Sequence, residues 1–492
     1  MNPQDRLLQP CEIARLWPLL SLGLLLRLIH ITQPFIDWWS WRQADVAMIA
    51  ENFYLHGFNL FYPQINWAGT APGYVGTEFP LVPFLASLLY LVFGVQDWIG
   101  RSLSVLFFAM SVPCLYLLVR RVFNQRSAIF AVVIYTLVPL SIFASRSFMP
   151  DAASLSFSLA ALYFFIEWLE RERGLRLFVA VSATTSLAIL VKMPAIIMGL
   201  PMLYLVWKKY GMQFIFRRAV WALAVLSLIF PLAWYSHAYL ISLSFAPYHF
   251  FGEGGVKIVG VSSYLAILRK TATSSLTPIV FALMLPGIIL PSQTKYGRMF
   301  HSWLIAIILF VLIAGEGNRH EWYRLPLVPV AAAFAGSACD VAWRRMAARI
   351  GSPLAPLLAC IIFMAALAYF SYIYTKPFYE PISLTAWHAG IEINRIAPRE
   401  ALVIIPDDGS PTAIYYSRRK GWNIYEPQKS QEAIAWIEAL RKGGAGYLML
   451  PENKFWWLEE YRELKEYLDG HYRRIRETNE MIIFAVRDGR RS

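Results

Sequence analysis

Apolar runs close to 20 residues long recur in this chain from its start to about residue 375. About 20 helical residues cross the hydrocarbon of a bilayer, so the pattern demands a polytopic α-helical membrane protein. The bulk numbers agree: 57% of the 492 residues are hydrophobic and only 16% are charged, a more apolar balance than soluble domains carry. The formal charge of +13 would point to nucleic acid in a soluble chain. Here Lys and Arg gather between the apolar runs, as on cytoplasmic loops, and no nucleic-acid partner is expected. Cys11, Cys114, Cys339 and Cys360 lack Cys-x-x-Cys spacing, which argues against metal clusters, thioredoxin chemistry and a disulfide framework. The first run, about 16–31, has no small-x-small cleavage site and is read as a retained helix.

Basic clusters set the topology. Arg120, Arg121 and Arg126; Arg171, Arg173 and Arg176; Lys208, Lys209, Arg217 and Arg218; Lys295 and Arg298; and Arg344, Arg345 and Arg349 are all placed in the cytoplasm. The helices between them are expected at about 102–119, 128–145, 152–168, 177–191, 195–207, 219–236, 275–291, 300–314, 325–342 and 352–373. With the first span this makes about eleven crossings, N-terminus inside and C-terminus outside. The run from Phe79 to Val95 does not fit as a crossing, because it would invert every later loop. It reaches only roughly 25 Å and is read as an interfacial or re-entrant helix on the outer face. The inner loops are expected to hold mostly plain Lys and Arg.

From about Tyr379 the composition changes. Residues 402–405, 447–450 and 482–486 read as short buried strands, and 430–441 and 454–468 as amphipathic helices. The expected organisation is a membrane domain over 1–375 and a small α/β extracytoplasmic domain over 376–492. The Pro406-Asp407-Asp408-Gly409 segment after the first strand is read as a plain turn.

The outer segments carry the unusual chemistry. Between residues 35 and 79 stand Asp37, Asp45, Glu51 and Glu78 with a single arginine, Arg42. Ser40 and Gln43 match a capping box. Val46, Ile49, Ala50 and Phe53 then share one helical face, and Gly57 ends the helix. An amphipathic helix lying flat on the outer surface is expected, with Asp45 either in a surface pair with Arg42 or acting as a general base. Glu78 suits a helix N-terminus or a metal or sugar contact. Arg146 and Asp151 border an apolar run, where charges need partners or water. Lys192 breaks an apolar hairpin and could hold a lipid phosphate as a point charge. Arg324 is a further phosphate candidate, and His320 with Glu321 offers substrate or metal contacts. Trp38, Trp39, Trp41, Tyr54, Phe61, Tyr62, Trp67 and Tyr74 read mainly as an interfacial belt.

Taken in order, Trp41-Arg42-Gln43-Ala44-Asp45, Ile49 to Tyr54, Glu78-Phe79-Pro80-Leu81, Gly100 to Ser104 and Ser145 to Asp151 resemble integral-membrane glycosyltransferases of the GT-C fold. The likeness is to the protein mannosyltransferase and aminoarabinose transferase superfamily, over roughly residues 15–375. The resemblance implies a bacterial inner-membrane enzyme with its active site on the periplasmic side. It implies a polyprenyl-phosphate sugar donor, inverting transfer, and an acceptor that is a lipid, glycan or protein. Asp45 or Asp37 matches the base in the first outer loop, and Asp151 the second acid. Relatives often carry Glu-Lys-Pro-Pro where this chain has Glu78-Phe79-Pro80-Leu81, so the donor phosphate falls to Lys192, Arg146 or Arg324. By the same analogy Glu78 is a ligand candidate for a divalent metal cofactor.

The chemistry of the residues agrees. A sugar hydroxyl needs a carboxylate to take its proton, and a departing lipid phosphate needs positive charge. Asp45, Glu78, Asp151 and Lys192 are expected to meet in one water-filled outer pocket. The competing readings are a transporter or flippase of lipid-linked sugar, and a polymerase or ligase of lipid-linked glycan. The first would want ionisable or helix-breaking groups near mid-membrane, whereas the expected spans are plainly apolar at their centres.

Overall fold

The computed structural model describes residues 10–171, 174–251, 253–291, 294–352 and 354–487. The first stretch runs α1 (Pro10–Leu28), α2 (Ser40–His56), α3 (Leu81–Phe93), α4 (Asp97–Val122), α5 (Gln125–Leu137), α6 (Pro139–Ala144) and α7 (Asp151–Arg171). Then follow α8 (Leu175–Val191), α9 (Gly199–Tyr210), α10 (Arg218–Ser244), α11 (Val261–Lys270), α12 (Pro278–Ile289), α13 (Met299–Ile313), α14 (Leu327–Ile350) and α15 (Leu354–Thr375). The remainder alternates α16 (Leu384–Ile396), β1 (Leu402–Pro406), α17 (Thr412–Ser417), β2 (Gly421–Ile424), α18 (Ser430–Lys442), β3 (Ala445–Pro451), α19 (Trp456–Glu460), α20 (Arg462–His471), β4 (Arg473–Glu477) and β5 (Met481–Ala485).

Every expected apolar run holds a helix, but several are broken. The run over 128–145 splits at Pro139: Val138, just before it, is extended at φ −66° and ψ 143°, as a residue preceding proline prefers. Among the described residues, four helical stretches are long and apolar enough to cross a membrane, or five if the pair 261–275 and 278–289, bent by 106°, counts as one span. Residues 16–28, 81–93, 125–137, 175–191 and 299–313 form shorter apolar helices. Among the described residues, Cys114, Cys339 and Cys360 are free thiols. Arg173 lies outside the described residues.

The chain divides into two compact units. The first comprises the N-terminal segment to Ile31, Arg101–Ser236 and Phe251–Pro377. Its helices approach closely through small residues, the usual device where lipid supplies no hydrophobic drive. A Cβ on Gly336 of α14 would lie 2.6 Å from Ser127 O at the start of α5, and one on Gly287 of α12 would lie 2.1 Å from Phe334 O of α14. Arg27, inside the first apolar run, is fully buried. It donates to Ser145 Oγ and Ser141 Oγ at 2.9 Å and lies 3.3 Å over the Phe108 ring. The basic residues expected to be plain inner charges are not all plain. Arg121 is buried and pairs with Glu167 and Glu170. Asp340 holds both Arg126, at 3.4 Å, and Arg344, at 3.0 Å.

The second unit comprises Thr32–Gly100, His237–Phe250 and Phe378–Ser492, so the first loop groups by contact with the C-terminal segment. Its sheet has the order β2-β1-β3-β5-β4. β1 is parallel to β2 and β3, with Val403 opposite Gly421 and Tyr447. β5 runs antiparallel to β3 and β4, with Leu448 opposite Phe484. The edge strands β2 and β4 escape the sequence pattern because they are short and polar: β4 reads Arg-Arg-Ile-Arg-Glu. The helix expected over 454–468 is two, α19 and α20, separated at Tyr461.

α2 does not lie flat on a surface. From Arg42 to Phe53 every residue is buried. α3 covers one side, where Phe53 meets Phe84 at 5.7 Å between ring centroids. On the α17 side, Arg418, just past that helix, pairs with Glu51. The capping box is not formed either. Ser40 is already helical, and its hydroxyl lies 2.7 Å from Ser383 Oγ. Gln43 turns instead to Asp37, donating to its Oδ1 at 2.7 Å.

Candidate active site

In the second unit the acids of the first loop sort into distinct environments. Asp37 is fully buried just before α2. Its Oδ1 accepts from Trp39 N–H at 3.2 Å and from Gln43, and its backbone carbonyl accepts from Ser40 N–H at 2.8 Å. These bonds satisfy orphan donors at the helix start. Glu51, three turns into the helix, is committed to Arg418.

Asp45 differs. It is 1% exposed. Its Oδ2 accepts from Arg42 Nη1 at 3.2 Å, while its Oδ1 is buried without a hydrogen-bond partner. Arg42 Nη2 reaches the other way to both oxygens of Glu78, at 3.0 and 2.7 Å. One guanidinium thus serves two carboxylates, and the pair read as a surface contact is buried. Burial pushes the Asp45 carboxyl up to about 6; Arg42 and the nearby Trp67 indole pull it down, and Glu78 adds a smaller upward push. A carboxylate in that range is poised for proton transfer near neutral pH.

The aromatics of the first loop pack as a cluster more than as a belt. Tyr62 lies 5.1 Å from Tyr74 and 5.4 Å from His237, and Tyr74 lies 5.1 Å from Phe245. Trp39 is buried against Phe378. Trp38, Trp41 and Phe61 remain exposed.

In the first unit, Asp151 opens α7 and Lys192 directly follows α8. Their ion pair closes at 3.1 Å with both side chains buried. α8 ends where it does because Pro194 cannot continue it, which leaves Lys192 extended at φ −156°. Ser154 fastens α7 to α8 by donating to Ala188 O at 2.9 Å. A small cavity of ≈ 30 Å³ opens beside the pair, lined by Asp151, Lys192, Met198, Trp303, Trp322 and Tyr323 among others. The Lys192 ammonium lies 5.0 Å from the Tyr323 ring centroid, within cation–π range. This is a charged floor under aromatic walls.

The other candidate cations of this unit act as struts. Arg146 is fully buried and donates to His30 O at 2.7 Å. Arg324 donates to Asn318 O at 2.8 Å and to Ser275 Oγ at 3.2 Å. Glu321 is held by Lys270 at 2.8 Å. His320 is exposed and stacks on Trp322, with centroids 4.5 Å apart. The structure therefore joins Asp45 with Glu78, and Asp151 with Lys192, each within its own unit.

Lys270 and Trp303 were missed from the sequence. Lys270 had a signal: with Arg269 it is a basic pair in a loop assigned to the outer face, against the charge rule. A tryptophan inside an apolar run has none.

Among the described residues no group of three His, Cys, Asp or Glu side chains could hold a metal ion. Both Glu78 oxygens already accept from Arg42. The residues present do not fit a metal centre at Glu78 or at His320 and Glu321, and no step below passes through one.

Residues 77–237 match the family model described as dolichyl-phosphate-mannose-protein mannosyltransferase. Comparison with curated sequences finds no match. Among solved structures, ArnT from Cupriavidus metallidurans bound to undecaprenyl phosphate is similar at a TM-score of 0.65 and 14% identity, over 96% of this chain and 98% of that one. The Archaeoglobus fulgidus oligosaccharyltransferase AglB, solved with an inhibitory peptide and dolichol phosphate, is similar at 0.61 and 13%, over 96% and 74%. The same enzyme with zinc and sulfate gives 0.60 and 13%, over 95% and 73%. At such identities the likeness is one of fold. With the apolar helices it makes this chain a membrane-integral protein.

Proposed function

We propose that this chain, which has the GT-C glycosyltransferase fold, transfers a sugar from a polyprenyl-phosphate donor to an acceptor hydroxyl on the periplasmic side of a bacterial inner membrane. The acceptor oxygen attacks the anomeric carbon with inversion, and its proton passes to Asp45. The bond from that carbon to the phosphate oxygen breaks, and the lipid phosphate leaves with the electron pair. Within the first unit, Lys192, paired with Asp151, is the candidate group for a donor phosphate, whose departure needs positive charge. Arg42 and Glu78 set how strongly Asp45 binds its proton. Asp37, whose Oδ1 accepts from Trp39 N–H and Gln43 at the start of α2, is assigned to structure.

The observation that carries this reading is the buried Asp45 carboxylate, raised in pKa, with Arg42 at hydrogen-bond distance and the Trp67 indole beside it. The family match and the fold support the donor class. Asp151, Lys192 and Tyr323 stand at helix ends or in turns, which favours chemistry at a membrane face over passage through its middle.

The test is transfer by purified protein from a panel of polyprenyl-phosphate sugars to extracted envelope acceptors. Asp45→Asn should abolish transfer while donor binding survives. Full transfer by that variant would remove Asp45 from the mechanism.

A further inference from the structure

A second cavity lies in the first unit, among residues the proposed reaction does not use. It is an open-sided cavity of ≈ 160 Å³, lined by Phe130 of α5, Leu283 of α12, Cys339, Trp343 and Met346 of α14, and Phe363 of α15, with smaller residues between. Its walls belong to the first two turns of α5, the first three of α15, the last three of α14 and the middle of α12, so it opens toward the ends of α5, α14 and α15. Those are the helix ends that the basic clusters assign to the cytoplasmic side.

The lining is almost wholly apolar and the rim is cationic. Arg126 stands at the start of α5 with its guanidinium 5.9 Å from the Trp343 ring, and Trp343 lines the cavity. Arg344 is the next residue along α14. Both arginines bond Asp340, whose side chain is 3% exposed. Asn124 donates to the same carboxylate at 2.8 Å while capping α5. Asp340 therefore fixes two guanidiniums side by side and neutralises one of them. Each arginine side chain remains about half exposed, at 48% and 55%. Arg345 and Arg349 add exposed charge on the last turns of α14.

We propose that this is a binding site for an anionic glycerophospholipid of the cytoplasmic leaflet. One acyl chain enters the apolar cavity, and the phosphate rests on Arg126 and Arg344 beside Trp343. Charge complementarity selects this occupant. A zwitterionic lipid would gain the cavity but little from the net positive rim, whereas each basic residue near a membrane surface adds about fivefold in affinity for an anionic lipid. A tryptophan at the level of the headgroups fits the same placement. The pre-set arginines spare the entropy of ordering two long side chains.

The test uses full-length protein titrated with phosphatidylglycerol and with phosphatidylcholine, followed by native mass spectrometry. Phosphatidylglycerol should be retained preferentially. Arg126→Gln with Arg344→Gln should cut its affinity by about 25-fold, two fivefold losses, and leave phosphatidylcholine unchanged. Ala342→Trp fills the cavity from an exposed lining position without touching the arginines, and should also lose the bound lipid. The proposal is overturned by equal retention of both lipids, or by retention of phosphatidylglycerol that neither set of substitutions alters. It is equally overturned if polyprenyl phosphate outcompetes phosphatidylglycerol there, or if a second copy of the chain covers the cavity.

Discussion

Arg42 bonds Asp45 across one helical turn, Nη1 to Oδ2 at 3.2 Å, with the Asp45 side chain only 2% exposed. The same guanidinium chelates Glu78. The proton affinity of Asp45 is therefore under four influences of known sign: burial and Glu78 raise it, and Arg42 and Trp67 lower it.

Only the ionised carboxylate can accept the acceptor proton. Transfer should accordingly rise with pH through about 6 and level off above it. Glu78→Gln removes an upward influence and should move that limb to lower pH. Arg42→Gln removes a downward one and should move it to higher pH. The measurement is kcat/KM against pH for the three proteins. Shifts in the same direction, or none, would sink the assignment of Asp45.

Asp151 and Lys192 allow structure to be separated from chemistry. Removing one partner of a buried pair strands the other charge, at a cost of about 3–5 kcal/mol, whereas neutralising both is often close to neutral. Asp151→Asn and Lys192→Met should each lower thermal stability, and the double variant should recover most of it. Transfer should not recover with it. Loss of the Lys192 charge should lower kcat by about 10²- to 10³-fold. A double variant with restored activity would make the pair purely structural.

The apolar runs, the break at Pro194 and the helix stop at Gly57 were legible in the sequence, because length, proline and glycine act locally; the break at Pro139 was passed over, because the apolar run continues through it. The environment of α2 was not. Its polar face looks solvated in any short window, and the groups that bury it, Ser383 and Arg418, come more than 340 positions later. For the same reason the Ser40 capping box failed: a distant hydroxyl outbid the local backbone. Arg27, inside the first apolar run, finds its acceptors Ser141 and Ser145 more than 110 positions later. Spacing alone did not separate Asp45 from Asp37, because their hydrogen-bond partners are set by the folded environment.

Glu51 ties α2 to the α17 side of the second unit. Its side chain is 8% exposed against Arg418, and Asp97 accepts from Tyr416 at 2.7 Å close by. Arg418→Ala should leave Glu51 buried and alone, at a cost of about 3 kcal/mol. Hydrogen exchange of the α2 amides should quicken by about two orders of magnitude. Charge-preserving Arg418→Lys should restore part of the protection. Unchanged exchange in Arg418→Ala would show that α2 is held by its other contacts.

Asp407, at the end of β1, gives the C-terminal sheet a pH dependence of its own. The side chain is 8% exposed, its Oδ2 has no hydrogen-bond partner, and Asp408 beside it is paired with Lys454. Burial, reinforced by Asp408, pushes its carboxyl from 3.8 up to about 7, against smaller pulls from Ser410 and Lys454. Between those values the folded chain keeps a proton that the unfolded chain has lost. Stability should therefore fall as pH rises from about 4 to about 7, by at most about 1.4 kcal/mol per pH unit, and stay low above. Asp407→Asn carries no ionisable proton and should flatten this term. The check is amide protection of β1 and β3 in the full-length protein from pH 4 to pH 8, corrected for intrinsic exchange. Identical pH profiles for the two proteins would place the Asp407 proton elsewhere.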